Sequence, residues 1–206
     1  MDNITILEGN ANLVFDHDIL VLLNAISNVD KQYLSYAKTN ANADGRDDQI
    51  SQLERVFAYE LYFQWSLLKD DNLVLNGEIG KIWNTEHWYP DLVLHGGQDD
   101  PENNRVVVEI KRECMVDGKP EAILKDMQKL SSFLKSVEKS SQNYKFRNYK
   151  NAVFILLKGE LEEISNALKV KEASQYEFNG DVICLTFNEK KEIKISRLSY
   201  LMGNPH

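Results

Sequence analysis

Residues 89–111 constrain the fold of this chain more than any other region, because they contain two β-strand patterns separated by a polar turn. The first pattern spans residues 89–94, and the second spans residues 105–111 and is rich in β-branched side chains. Two such patterns so close together predict a hairpin. Because side chains alternate between the two faces of a strand, pairing can place Asp91 beside Glu109 on one face.

The same alternation places Lys111 on the face that carries Glu109, about 7 Å further along the strand. Two carboxylates and a lysine on one surface can hold a divalent cation and orient a water molecule against a phosphate. The order Pro90-Asp91 followed by Glu109-x-Lys111 resembles the motif of the PD-(D/E)xK nuclease superfamily.

This resemblance covers roughly residues 49–157 and implies a restriction-endonuclease-like core. It also implies a metal-dependent nuclease that hydrolyses phosphodiester bonds in nucleic acid through a Mg²⁺-activated water, and we expect DNA as the substrate, with RNA as the alternative. Asp91 and Glu109 would bind Mg²⁺ or Mn²⁺, and Lys111 would orient the water or stabilise the transition state. A glutamate on the helix before the first core strand would complete the metal site.

Residues 49–69 have the apolar periodicity of a buried helix, and two of their glutamates are candidates for this metal ligand. At 100° per residue, Glu54 falls close to the middle of the apolar stripe, whereas Glu60 falls at its edge. A carboxylate within an apolar stripe needs a partner, for which a metal ion or its bound water would serve. Alternatively, Glu54 pairs locally or is stabilised in the first turn by the helix dipole. We therefore expect Glu54 to be catalytic and metal-binding, and Glu60 remains the alternative.

The rest of the chain alternates between helical and strand patterns, which predicts an α/β fold with a mixed central sheet flanked by helices. Residues 152–157 are an unbroken apolar run, typical of a central strand covered on both faces. Residues 192–196 contain Lys194 and follow Lys190 and Lys191, and lysines in and beside a strand pattern predict an edge strand. We expect one nuclease-like domain over residues 46–206, preceded by a helical extension over residues 1–45.

A further helix is predicted from residue 121 to about residue 139, with an apolar stripe at helical spacing. Asp126 and Lys129 lie three residues apart on one flank of that stripe. The two residues resemble polar positions that some members of the PD-(D/E)xK superfamily place on this helix, but we expect a surface ion pair.

Composition places the chain among ordinary globular proteins, with 206 residues and 43% hydrophobic side chains. The first ten residues lack the pattern of a secretory signal, and no apolar stretch approaches the ~20 residues of a membrane helix. Cys114 and Cys184 have no paired spacing, which argues against a disulfide framework or a zinc site. We expect a cytoplasmic protein without a membrane partner.

Net charge is −8, which is unusual for a protein that binds nucleic acid. The charge is unevenly distributed, because residues 111–150 contain ten Lys and Arg against five Asp and Glu. That segment is therefore +5, and the remaining residues together carry −13. Bound divalent cations would offset part of the acidity around the carboxylates of the predicted site.

Two other functions are compatible with the same residues. The chain could be a non-catalytic member of the fold that binds nucleic acid or a protein partner, a hypothesis that the acidic charge favours. It could also be a metal-dependent phosphodiesterase that acts on nucleotides. Residues 1–45 could cover the core or contribute to a homodimer contact.

Overall fold

A seven-stranded mixed β-sheet with helices packed on both faces forms the centre of the protein. The computed structural model describes residues 4–6, 15–34, 48–78, 81–83, 86–97, 103–112, 120–134 and 148–203. The α/β class and the mixed, helix-flanked sheet predicted from the sequence are confirmed.

In chain order the described strands are β1 (Ile4–Ile6), β2 (Val74–Gly77), β3 (Lys81–Trp83), β4 (Glu86–Trp88), β5 (Leu92–His95), β6 (Asn104–Arg112), β7 (Asn151–Leu157), β8 (Ile183–Phe187) and β9 (Ile193–Arg197). The sheet has the strand order β1-β9-β8-β7-β6-β5-β2, and β3 and β4 form a separate antiparallel hairpin. Parallel pairing joins β1 to β9, β6 to β7 and β7 to β8, and the other neighbours in the sheet are antiparallel.

The helices divide between the two faces of the sheet. They are α1 (His17–Asn28), α2 (Asp48–Leu68), α3 (Glu121–Phe133), α4 (Leu161–Lys169) and α5 (Leu198–Leu201). Helices α1 and α2 pack on one face, and α3, α4 and α5 pack on the other. Each face has its own hydrophobic core, because alternate residues of the central strands point to opposite sides.

Strand β7 confirms the prediction of a central strand covered on both faces. Val153 and Ile155 belong to the core under α1 and α2, whereas Ala152 and Phe154 belong to the core under α3 and α4. All four side chains are almost fully buried. A strand buried on both sides needs no polar residues, which explains the unbroken apolar run.

The prediction that residues 192–196 form an edge strand is wrong. Strand β9 pairs with β8 on one side, and β1 covers its other side through parallel pairing of Ile4 with Ile193 and of Ile6 with Ile195. Ile193, Ile195 and Ser196 are buried, whereas Lys194 and Arg197 are partly exposed. Lys194 therefore marks a partly exposed position on a paired strand, not an unpaired edge.

The N-terminal part of the chain contributes a strand as well as the predicted helix. Besides β1, it supplies α1, whose N-terminus is capped by the Asp16 carboxylate accepting from the Ile19 N–H at 3.1 Å. The division at residue 45 into an extension and a nuclease-like domain stays a prediction. Helix α3 ends at Phe133, with Leu134 as its C-cap, so the predicted end near residue 139 is wrong. No helix of the described segments has both the length and the apolar character that a membrane crossing requires.

Candidate active site at the carboxyl end of strand β6

The two motif strands pair as the sequence predicted. Strands β5 and β6 are antiparallel, with Leu92 opposite Val108, so Asp91 lies next to Glu109. Leu92 and Val108 belong to the core under α1 and α2. Their odd-numbered neighbours, Glu109 among them, therefore point towards α3.

Asp91 is fixed by the backbone of the neighbouring strand. Its Oδ2 accepts a hydrogen bond from the Ile110 N–H at 2.7 Å. Strand β5 begins at Leu92, opposite Val108, and so does not pair with the last residues of β6. The Asp91 side chain takes the place of the missing strand as the acceptor for this N–H group.

Glu54 accepts a hydrogen bond from the Arg112 N–H, two residues further along β6, in the same way. Its Oε1 accepts from the Arg112 N–H at 2.7 Å, which links α2 to the end of the motif strand. Glu54 lies about two turns before Leu61 and three turns before Trp65, which are fully buried on the same stripe of α2. Glu60, the alternative, lies elsewhere and accepts a hydrogen bond from the Gln64 side chain at 2.8 Å.

Lys111 lies between two carboxylates from different elements. Its Nζ is 3.6 Å from Glu109 Oε1 and 3.4 Å from Asp126 Oδ2 on α3. The Lys111 side chain is 31% exposed, so the ammonium is accessible from solvent although it is paired. The structure thus brings all four predicted site residues together: Glu54, Asp91, Glu109 and Lys111.

The prediction of a surface pair between Asp126 and Lys129 is wrong. The two side chains do form an ion pair, at 3.0 Å, but Asp126 is only 5% exposed and also faces Lys111. Asp126 lies three residues after Ile123 and four before Leu130, both buried, so it belongs to the buried stripe of α3. The argument that singled out Glu54, a carboxylate within an apolar stripe, would have identified Asp126 too.

The crowding of carboxylates changes their protonation. Burial is the main cause that raises the pKa of Asp91 to about 6; the hydrogen bond from the Ile110 N–H and the Lys111 charge oppose this rise, and the Glu54 and Asp126 carboxylates add to it. Burial together with Asp91 and Asp126 raises the pKa of Glu109 to about 8. These two carboxyls titrate as a pair, so both values belong to the cluster.

The other two site residues respond to the same surroundings. Burial raises the pKa of Glu54, and the hydrogen bond from Arg112 N–H and the Lys111 charge act against that rise. Burial by itself would lower the pKa of Lys111, but the carboxylates around it raise the pKa above its usual value. Lys111 therefore stays protonated at neutral pH. The cluster contains more acidic groups than this ammonium can balance, which is the electrostatic setting of a cation site.

The donor set fits a hard divalent cation, although the ligands are not arranged around one. Asp91 and Glu54 each use one oxygen for a backbone N–H and keep a second oxygen for another ligand. Carboxylate oxygens are the ligands that Mg²⁺ and Mn²⁺ prefer. Across the described segments, however, no three His, Cys, Asp or Glu side chains converge closely enough to hold a metal ion. The Lys111 ammonium is the cation that Glu109 and Asp126 share instead.

No protein-family model matches the chain, and no curated protein or solved structure is significantly similar to it.

Proposed function

We propose that this protein is a metal-dependent nuclease with a restriction-endonuclease-like core that hydrolyses phosphodiester bonds in nucleic acid, DNA rather than RNA. The observation that supports the proposal is the convergence of Glu54, Asp91, Glu109 and Lys111 at one end of β6. These residues come from three separate elements and match the PD-(D/E)xK pattern in type and order.

In this proposal Asp91 and Glu109 are the carboxylate ligands of Mg²⁺ or Mn²⁺, and Glu54 completes the site. When bound, the ion lowers the pKa of a water molecule and neutralises charge on the scissile phosphate. The backbone N–H groups of Ile110 and Arg112 hold the Asp91 and Glu54 carboxylates in fixed orientations. Such support from neighbouring hydrogen bonds keeps ligands positioned for the reaction.

Lys111 supplies positive charge where negative charge develops on the phosphate. Its pairing with Asp126 gives the ammonium a defined position near the carboxylates. Asp126 in turn is held by Lys129 at 3.0 Å. We therefore assign Asp126 as a positioning residue for Lys111, with no direct contact to the reacting atoms.

A non-catalytic binding module is the second candidate. It is favoured by the absence of a converged metal cluster among the described residues and by the ion pairs that already engage Lys111. The acidic net charge of −8 also favours it. Location in the cytoplasm and assembly as a homodimer are further parts of our proposal that rest on the sequence.

Digestion of nucleic acids by the purified protein tests the proposal. Plasmid DNA, single-stranded DNA and RNA are incubated with Mg²⁺, with Mn²⁺ and with excess EDTA. We expect cleavage of DNA with either metal and none with EDTA, and we expect Asp91→Asn to be inactive. If the wild-type protein binds these nucleic acids but cuts none of them with either metal, the binding module is the better description.

A further inference from the structure

An exposed tyrosine stands directly beside the candidate active site. Tyr89 is 59% exposed and lies two residues before Asp91. The residue between them, Pro90, is buried and has a restricted backbone, which limits the movement of the segment. Pro90 therefore restricts the backbone that carries Tyr89 beside Asp91.

A cleft next to this ring extends to Glu109, one of the four candidate site residues. It is lined by seven residues: Trp88, Tyr89, Pro90, Glu109, Lys129, Leu130 and Phe133. Glu109 belongs to both the cleft and the proposed metal site, so whatever occupies the mouth of the cleft adjoins the reacting phosphate.

The inner wall of the cleft is rigid and carries a positive charge. Trp88 packs edge-on against Phe133, with ring centroids 5.8 Å apart, and Phe133 packs in the same way against Tyr149. Lys129 Nζ lies 5.5 Å from the centroid of the Trp88 ring. Phe133 and Tyr149 are almost fully buried, so Tyr89 is the ring of this region that offers an exposed aromatic face. An exposed aromatic face with the Lys129 ammonium on the same cleft lining suits a flat, polar ring attached to a phosphate.

We propose that Tyr89 and the mouth of this cleft bind one unpaired nucleobase adjacent to the scissile phosphodiester, so that the substrate is single-stranded or locally unpaired. This inference rests on the proposed nuclease function and specifies its substrate class. Every base offers a face for stacking, so such a platform accepts any sequence. Bases within an intact duplex have both faces covered by their neighbours, and a base must leave the stack to meet the Tyr89 ring.

Binding in EDTA tests the inference without cleavage. Fluorescence anisotropy measures the affinity for a short labelled oligothymidylate, for the same sugar-phosphate chain without bases and for a duplex of equal length. Variants are Tyr89→Ala, Tyr89→Trp and, as a matched control, Tyr59→Ala. Tyr59 is a tyrosine of α2 that is 60% exposed and lies outside the cleft. Thermal unfolding checks that each variant is folded.

We expect Tyr89→Ala to weaken binding of the oligothymidylate by roughly 5- to 150-fold, the range for loss of one stacked base. Binding of the abasic chain should not change, Tyr89→Trp should retain wild-type affinity, and Tyr59→Ala should have no effect. The wild-type protein should prefer the single strand to the duplex. Any of three results overturns the inference. Wild type and Tyr89→Ala bind the oligothymidylate equally, Tyr89→Ala loses as much affinity for the abasic chain as for the oligothymidylate, or the wild type does not bind.

Digestion separates this inference from the proposed function. If wild type and Tyr89→Ala cleave single strands equally well, base stacking is refuted and the proposed nuclease function stands. Base-dependent binding through Tyr89 without cleavage under any metal would support the stacking site and refute the nuclease.

Discussion

Replacing Asp91 with Asn should stabilise the metal-free protein at alkaline pH, although it removes a proposed metal ligand. In the folded protein burial and nearby carboxylates raise the pKa of Asp91 to about 6, from an ordinary value of 3.8. The folded state therefore holds this proton more tightly than the unfolded state. The stability contributed by the protonated form is complete below pH ~4 and is lost as pH rises through about 6.

The size of the effect follows from the shift. Because Asp91 and Glu109 titrate as a pair, a rise of about two pKa units corresponds to about 3 kcal/mol, at 1.36 kcal/mol per unit, for ionising this cluster at pH 8 and not for Asp91 alone. The amide oxygen of Asn can still accept a hydrogen bond from the Ile110 N–H. Burying the NH₂ group of Asn costs about 1 kcal/mol, which reduces the gain in the free energy of unfolding. The net gain should be about 2 kcal/mol, or roughly 4–8 °C in Tm for a chain of this size.

Thermal unfolding from pH 4 to pH 8 in EDTA, followed by the same series with Mg²⁺, measures this prediction. In EDTA the Tm of wild type should fall relative to that of Asp91→Asn as pH rises. Mg²⁺ should raise the Tm of wild type at pH 8 and raise that of the variant far less, because an ion bound to the native state stabilises by mass action. Glu60→Gln is the control, because the wild-type Glu60 carboxylate pairs with Gln64. The Tm of this variant should follow that of wild type across the pH series. A variant no more stable than wild type at pH 8 in EDTA, or an equal response to Mg²⁺, would refute the reasoning.

Three further substitutions test the roles of the other site residues. Glu54→Gln should reduce metal-dependent cleavage far more than Glu60→Gln, because of these two glutamates Glu54 is the one that contacts the end of β6. The reverse ranking in a digestion assay would show that the helix carboxylate is wrongly assigned. Lys111→Ala should lower kcat by ~10²-fold or more while nucleic-acid binding stays near wild type, and Lys111→Arg should not restore cleavage. Undiminished kcat in Lys111→Ala would exclude the electrostatic role. Asp126→Asn should lower kcat with little change in KM, since it loosens Lys111 and not the substrate; steady-state kinetics that show only a raised KM would contradict this.

The amino-acid sequence determined the features that depend on local periodicity. Strand alternation placed Asp91 beside Glu109, and helical periodicity placed Glu54 on the buried side of α2. The apolar run of β7 identified a central strand for the same reason. These patterns repeat every two or 3.6 residues, so a few neighbouring side chains suffice to read them.

Only the tertiary structure decided which distant segments meet. The lysines in and just before β9 indicated an edge, but Ile4–Ile6 pairs with that strand from the other end of the chain. Asp126 was expected at the surface, and the packing of α3 on the sheet instead buries it against Lys111. The late start of β5 left the Ile110 and Arg112 N–H groups to side-chain carboxylates. Strand order and helix docking depend on contacts between residues far apart in sequence, and the periodicity of one segment carries no information about its partner.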